Sequence, residues 1–147
     1  MRKVSIPNGA WIMVADHSKA ILLVNKGTPI APQLEVRKVM EAPDNPATHE
    51  QGADAPGTVY AGSHHSSVEQ TDWHAAAGRR FLELAVEAVE IAKGLDEFKS
   101  LVLVAPPKAL AELRNIISGA VKASVVGELD KDLVHLPVAK IAEHLAA

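Results

Sequence analysis

The sequence predicts a single α/β domain in which helices cover a mixed β-sheet. Its 147 residues match the length of one ordinary domain. The hydrophobic content is 48% but aromatic residues make up only 3%, so the core must be built from aliphatic side chains, which pack well between a sheet and helices. Three strand-like segments come first along the chain, and helical and strand-like segments alternate after them. This order predicts a three-strand antiparallel meander joined in one sheet by two further strands.

The first three segments have the patterns of strands. The apolar run from Ala10 to Ala15 ends at turn-forming residues, and a second apolar run from Ala20 to Asn25 follows at hairpin distance, so the two should pair antiparallel. From Gln33 to Ala42, apolar and charged residues alternate imperfectly, which predicts a third strand with one solvated face.

A long polar loop is predicted from about residue 43 to residue 71. Prolines, glycines and polar residues dominate this segment, and apolar residues are few. Long loops inside compact domains are usually functional or disordered. Functional residues are therefore expected here.

A helix is predicted from Trp73 to Lys93. Thr71 or Asp72 should cap its start and Gly94 should end it, which would place His74 in the first turn. Glutamates mark the solvated face of this helix. The expected buried stripe is Phe81, Leu84, Ala88 and Ile91, widened by Leu82, Ala85, Val89 and Ala92.

The segment from Leu101 to Pro107 is apolar on both faces, as expected of an interior strand covered by helices on each side. Pro107 suits the first position of a following helix, whose buried side should carry Leu110, Leu113 and Ile117.

The C-terminal part should contain one more strand and one more helix. Val121 to Leu129 is rich in valine and is predicted as the strand. A last helix is expected from Pro137 to Ala146, with a buried stripe formed by Val138, Ile141, Ala142 and Leu145.

Charge and composition narrow the functional classes. A formal net charge of −3 gives no bulk attraction for nucleic acid or anionic membranes. The chain has no cysteine, so disulfides, zinc-thiolate sites and thiol catalysis are excluded. The N-terminal segment lacks the apolar core of a signal peptide, and no stretch reaches the length of a membrane span. A cytoplasmic protein is expected.

The stretch "GSHHSSVEQTDWH" between Gly62 and His74 concentrates candidate ligands. His64, His65 and His74 lie near two acidic residues, a composition that permits a metal-dependent enzyme. The adjacent histidines should diverge, however, and the spacing matches no metal motif. An exposed polar loop is favoured, and no metal or cofactor is predicted.

The predicted element order is that of ribonuclease H-like and ribosomal L18/S11-like folds. A nuclease of this topology needs carboxylates from the first strand, the first helix and the fourth strand. Asp16 and either Glu83 or Glu87 could supply two, but the fourth strand ends in Ala105 and two prolines. No nucleophilic-serine elbow and no phosphate-binding glycine loop is present either. No catalytic residue is predicted.

Arg79 and Arg80 form a locally basic patch that could meet RNA phosphates, with Trp73 available to stack on a base. The competing interpretation is structural. Arg79 is spaced to pair with Glu83 one turn later, and Trp73 and Trp11 would serve in packing.

Four segments together resemble the bacterial family of proteins required for attachment to host cells: "WIMVADHSKAILL", "RRFLELAVEAVEIA", "LVLVAPPKALAELRNII" and "GELDKDLVHLPVAKIAEHL". They cover most of the chain apart from the polar loop. The resemblance implies a non-enzymatic protein that contributes to attachment through surface contacts, with a host-surface component as one class of partner.

The same resemblance implies a fold similar to the middle domain of archaeal and eukaryotic peptide-chain release factors, where a loop before the long helix carries a G-G-Q motif. Here Gln70 follows Val68 and Glu69 instead of two glycines, so peptidyl-tRNA hydrolysis is not carried over. Association with RNA, tRNA or the ribosome is the alternative function. The residues expected to contact a ligand or partner are His64, His65, Gln70, Asp72, His74, Arg79 and Arg80.

Overall fold

Five strands and four helices make up the part of the fold that the structure describes. The computed structural model describes the backbone of residues 5–43 and 56–146 and the side chains of residues 5–43 and 75–145. In chain order the elements are β1 (Trp11–Ala15), β2 (Lys19–Asn25), β3 (Leu34–Glu41), α1 (Pro56–Gly94), β4 (Leu101–Val104), α2 (Pro107–Ile116), α3 (Gly119–Ser124), β5 (Val125–Leu129) and α4 (Val138–Ala146).

All five strands form one mixed sheet in the order β3-β2-β1-β4-β5. β2 pairs antiparallel with both β1 and β3, while β4 pairs parallel with β1 and with β5. The predicted meander with two added strands is therefore confirmed. In β3 the register shifts so that Leu22 lies opposite Lys38 and Leu23 lies opposite Val36. Arg37 is the extra residue of this β-bulge.

Helices cover both faces of the sheet, which gives the predicted mixed α/β single domain. On one face, α1, α2 and α3 pack on alternate strand residues such as Met13 and Leu103. On the other face, α4 and the segment before it pack on Ile12 and Val102. Leu101 to Ala105 is fully buried between β1 and β5, as predicted for an interior strand.

Helix α1 begins much earlier than the sequence indicated. Its backbone is helical from Pro56, so the predicted loop is wrong for residues 56–71, and residues 44–55 lie outside the described part of the chain. The predicted caps at Thr71 or Asp72 are wrong, and His74 is not in the first turn. Polar composition suggested a loop, yet Pro56 suits a first helical position and no later proline interrupts the helix.

The buried stripe of α1 is rotated from the predicted one. Phe81, Leu82, Ala85, Val89 and Ala92 are buried as expected, and Val86 joins them. Leu84 and Ile91 were predicted to be buried but are each 59% exposed. They lie about 100–120° around the helix axis from Ala85, because successive residues are about 100° apart.

A short helix replaces the first half of the last predicted strand. Val121 to Ser124 belongs to α3, and only Val125–Leu129 is extended. The side chain of Ser118 caps α3 by accepting a hydrogen bond from the backbone N–H of Val121 at 3.2 Å. Ser118 is itself held by Glu90 of α1, whose carboxylate accepts from its backbone N–H and its hydroxyl, both at 2.7 Å. This tertiary contact overrides the strand propensity of the valines.

The remaining helix predictions agree with the structure, except that Val138 and Ala142 of the last helix are only partly buried. Pro107 begins α2, whose residues Leu110 and Leu113 are buried. In α4, Ile141 and Leu145 are buried against the sheet. Trp11 packs in the core against Phe98, with ring centroids 5.2 Å apart. The packing role predicted for Trp11 is therefore confirmed. Among the described residues, no helix combines the length and hydropathy needed to span a membrane.

Candidate functional site

The histidine-rich stretch lies within α1. His64, His65, Gln70, Asp72 and His74 lie on the backbone of α1, but their side chains are outside the described residues. Their role as a metal or partner site stays a prediction.

Arg79 and Arg80 are both exposed on α1. The Nε of Arg79 lies 3.5 Å from a carboxylate oxygen of Glu83, one turn further along the helix. This is the expected ion pair, and an exposed pair of this kind contributes only a few tenths of a kcal/mol.

A polar cluster that the sequence did not predict lies at the carboxyl end of β1. One carboxylate oxygen of Asp16 accepts hydrogen bonds from the backbone N–H groups of Ser18 and Lys19, both at 2.8 Å. These bonds close the tight turn between β1 and β2. The other oxygen accepts from the Nε2 of His135, 3.1 Å away. Asp16 therefore joins the β1–β2 turn to the segment that precedes α4.

These contacts favour the ionised form of Asp16. Burial by itself raises the pKa of this carboxyl, but the hydrogen bonds from Ser18, Lys19 and His135 together outweigh burial and leave the pKa below its usual value. A depressed carboxyl pKa stabilises the fold above the pKa of the unfolded chain, and this contribution is lost as the pH falls through the folded-state value.

Replacing Asp16 with asparagine should therefore destabilise the protein most at neutral pH. Asparagine keeps the size and one acceptor of the side chain but has no charge to lose. The difference in free energy of unfolding between wild type and Asp16→Asn should narrow as the pH is lowered from about 6 to about 3. Urea unfolding across this range would measure it. A difference that stays constant would contradict the assignment.

Asp132 completes a trio with Asp16 and His135. Each offers one ligand atom, and the three atoms lie within 4.8 Å of one another. Carboxylates and imidazole are ligands that a divalent cation accepts. Both oxygens of Asp16 are already engaged in hydrogen bonds, and the other two side chains are exposed. The hydrogen bonds of the β1–β2 turn and of His135 account for the position of Asp16.

The sequence did contain one signal for this cluster. Parallel strands have their carboxyl ends at the same edge of a sheet, so residues that follow β1 and β5 should lie close together. Asp132 and His135 follow β5. Their proximity to Asp16 could be predicted only once the pairing of β1, β4 and β5 was known.

A second polar pair lies on the opposite face of the same turn. The Nε2 of His17 donates to a carboxylate oxygen of Glu112 in α2 at 3.1 Å. Gly78 of α1 packs on this histidine so closely that an added Cβ would lie 3.0 Å from the Cβ of His17. Two helices thus contact the β1–β2 turn, which makes this edge a structural junction.

A concave groove lies between α1 and β3, with a volume of about 220 Å³. Its floor is formed by core side chains of β1 and β2, one side by α1 and the other by β3. We name it the α1–β3 groove. Its principal lining residues are Trp11, Leu22, Arg37, Lys38, Ile91 and Leu95.

An exposed apolar row on α1 borders this groove. Leu84 and Ile91 are each 59% exposed and Leu95, just after the helix, is 66% exposed. The partly buried Ala88 lies between them. Their spacing of four, three and four residues puts them on one helix face. We name these four residues the α1 row.

Comparison with known proteins identifies the family. A family model described as "Protein required for attachment to host cells" matches residues 11–145. No curated protein matches the chain.

Among solved structures, the archaeal translation termination factor aRF1 is similar, with a TM-score of 0.46 and 14% sequence identity over 84% of this chain and 30% of that chain. The chain therefore corresponds to less than a third of that factor's length. The family match extends from the start of β1 almost to the end of α4, so the chain belongs to the family of proteins required for attachment to host cells.

Proposed function

We propose that this protein contributes to bacterial attachment to host cells by binding a protein partner at its surface, without catalysing a reaction. The observation that carries the proposal is the α1 row, whose Leu84, Ile91 and Leu95 are largely exposed although they lie on the helix that packs its neighbouring face into the core. Family membership supports the biological process.

Exposing aliphatic side chains to water is unfavourable in free energy. Covering the exposed part of Leu84, Ile91 or Leu95 would contribute about 1 kcal/mol for each side chain. Single exposed hydrophobic residues are ordinary on protein surfaces, but a contiguous row beside a groove is typical of an interaction site. A helix face with this spacing is a common recognition surface.

The test is to replace Leu84, Ile91 and Leu95 together with glutamine in the native gene. Glutamine has good helix propensity and removes the apolar surface without adding charge. Attachment to cultured host cells should fall to the level of a strain that lacks the gene, while protein abundance and melting temperature stay at wild-type values. Glu83→Gln, an exposed change about 100° around α1 from Leu84, is the matched control and should attach normally. Normal attachment by the triple variant would contradict the proposal.

A second candidate function is association with RNA or the ribosome in the cytoplasm. The exposed side chains of Arg79 and Arg80 favour it, whereas the net charge of −3 disfavours it. Two results together would support this function over the first. RNA should bind at low salt and lose this binding when both arginines are changed to glutamate, and the glutamine variant should attach normally.

A further inference from the structure

We propose that the α1–β3 groove binds an acidic amphipathic peptide segment, one that carries a large apolar anchor side chain next to carboxylates. This inference rests on the proposed function, since it names the chemistry of the partner that would cover the α1 row. It combines three observations: an apolar floor, a cationic wall and a limited volume.

The floor of the groove suits an apolar anchor. Trp11 and Leu22 belong to the buried core, at 5% and 1% exposure, and lie at the base of the groove. Ile91 and Leu95 form the α1 side. A volume of about 220 Å³ is below the roughly 300–1,000 Å³ of sites that enclose a whole small molecule. It has room for one or two side chains, as at the centre of a peptide interface.

The wall formed by β3 is positively charged. The β-bulge places Arg37 and Lys38, which are adjacent in sequence, on the same side of the strand. Both are exposed, and no carboxylate of the described residues forms an ion pair with either. The guanidinium of Arg37 lies 5.8 Å from the centroid of the Trp11 ring, a cation–π contact that holds this charge above the apolar floor.

Glu97 is the one carboxylate among the lining residues. The groove therefore has two cations and one anion in a chain whose net charge is −3. This local excess of positive charge favours an anionic partner. A concave site with a wall on each side fits a peptide chain better than the flat surface of a bilayer.

The binding test uses the full chain and two short synthetic peptides of about 12 residues labelled with fluorescein. Both contain leucine and phenylalanine; in one every polar residue is glutamate, and in the other every polar residue is lysine. Fluorescence anisotropy should show that the glutamate peptide binds and the lysine peptide does not. The double change Arg37→Glu and Lys38→Glu should weaken the glutamate peptide about tenfold or more and admit the lysine peptide.

Two further variants separate this site from general charge effects. Lys122→Glu with Lys140→Glu alters the net charge equally at exposed positions on α3 and α4, and it should leave both affinities unchanged. Glu97→Lys should strengthen binding of the glutamate peptide about threefold, a gain that a misfolded variant could not show.

Equal binding of the two peptides would overturn the inference, and so would an equal loss in the Lys122 and Lys140 control. Binding to vesicles of phosphatidylcholine and phosphatidylglycerol that depends on Arg37 and Lys38, without peptide binding, would also overturn it in favour of a lipid surface. The glutamine variant of the α1 row could fail to attach while the changes at Arg37 and Lys38 leave peptide affinity unaltered. In that case the proposed function stands and this inference fails.

Discussion

Replacing Asn25 with leucine is expected to lower the free energy of unfolding by about 4 kcal/mol. Asn25 is fully buried at the end of β2. Its side-chain oxygen accepts from the backbone N–H groups of Gly27 at 2.8 Å and Gln33 at 2.9 Å, and its amide donates to the carbonyl of Ile6 at 2.9 Å. Leucine would leave three backbone groups without this partner, at about 1–3 kcal/mol for each group that stays buried.

Urea unfolding followed by circular dichroism measures this loss. Asn8→Ala is the matched control, because Asn8 also donates a side-chain hydrogen bond, to the carbonyl of Gly27 at 2.7 Å, but in an exposed position. Water replaces that bond, so the control should lose less than about 1 kcal/mol. Equal losses in the two variants would contradict the view that Asn25 organises the connection from β2 to β3.

The second large effect is expected for Leu103→Ala in β4. Leu103 is fully buried in the core beneath α1 and α2, and removing its side chain leaves a cavity that neighbouring elements fill only in part. The free energy of unfolding should fall by about 3 kcal/mol. Thermal and urea unfolding should agree on this value if the domain unfolds in one step.

Leu84→Ala is the corresponding control in α1. The same side chain is removed, but it is 59% exposed, so stability should change by no more than about 0.5 kcal/mol. If the two alanine variants lost equal stability, the observed rotation of the α1 stripe would be wrong and the α1 row would be a buried surface. This pair therefore also tests the surface on which the proposed function depends.

Short-range patterns predicted the sheet well. β1, β2 and β4 are compact apolar runs bounded by turn residues, and their hydrophobic periods are strong local signals. The start of α1 was missed because the polar composition of residues 56–71 indicated a loop. No proline between Pro56 and the end of α1 forbids a helix there. α3 was missed because Val121 favours strands locally, while the contact between Glu90 and Ser118 that fixes the helix start joins residues 28 positions apart.

The candidate sites were less predictable than the fold. The sequence indicated Asp16 as the end of a strand and as one carboxylate of an incomplete nuclease set, but not its contact with His135, which lies 119 positions away. The α1–β3 groove requires the bulge at Arg37 and the rotation of α1, and neither follows from hydrophobic period alone. The histidine-rich stretch was predicted as a candidate site from its composition alone, and its side chains are outside the described residues.

By itself, the sequence determined an aliphatic α/β core, the pairing of the first two strands, the interior position of β4 and membership of the attachment family, because each depends on local periodicity or on residue identity. Only the tertiary structure decided which side of α1 meets the sheet, where α3 replaces strand and which charged residues border an apolar groove. Those features depend on contacts between distant segments, whose energies local patterns do not contain.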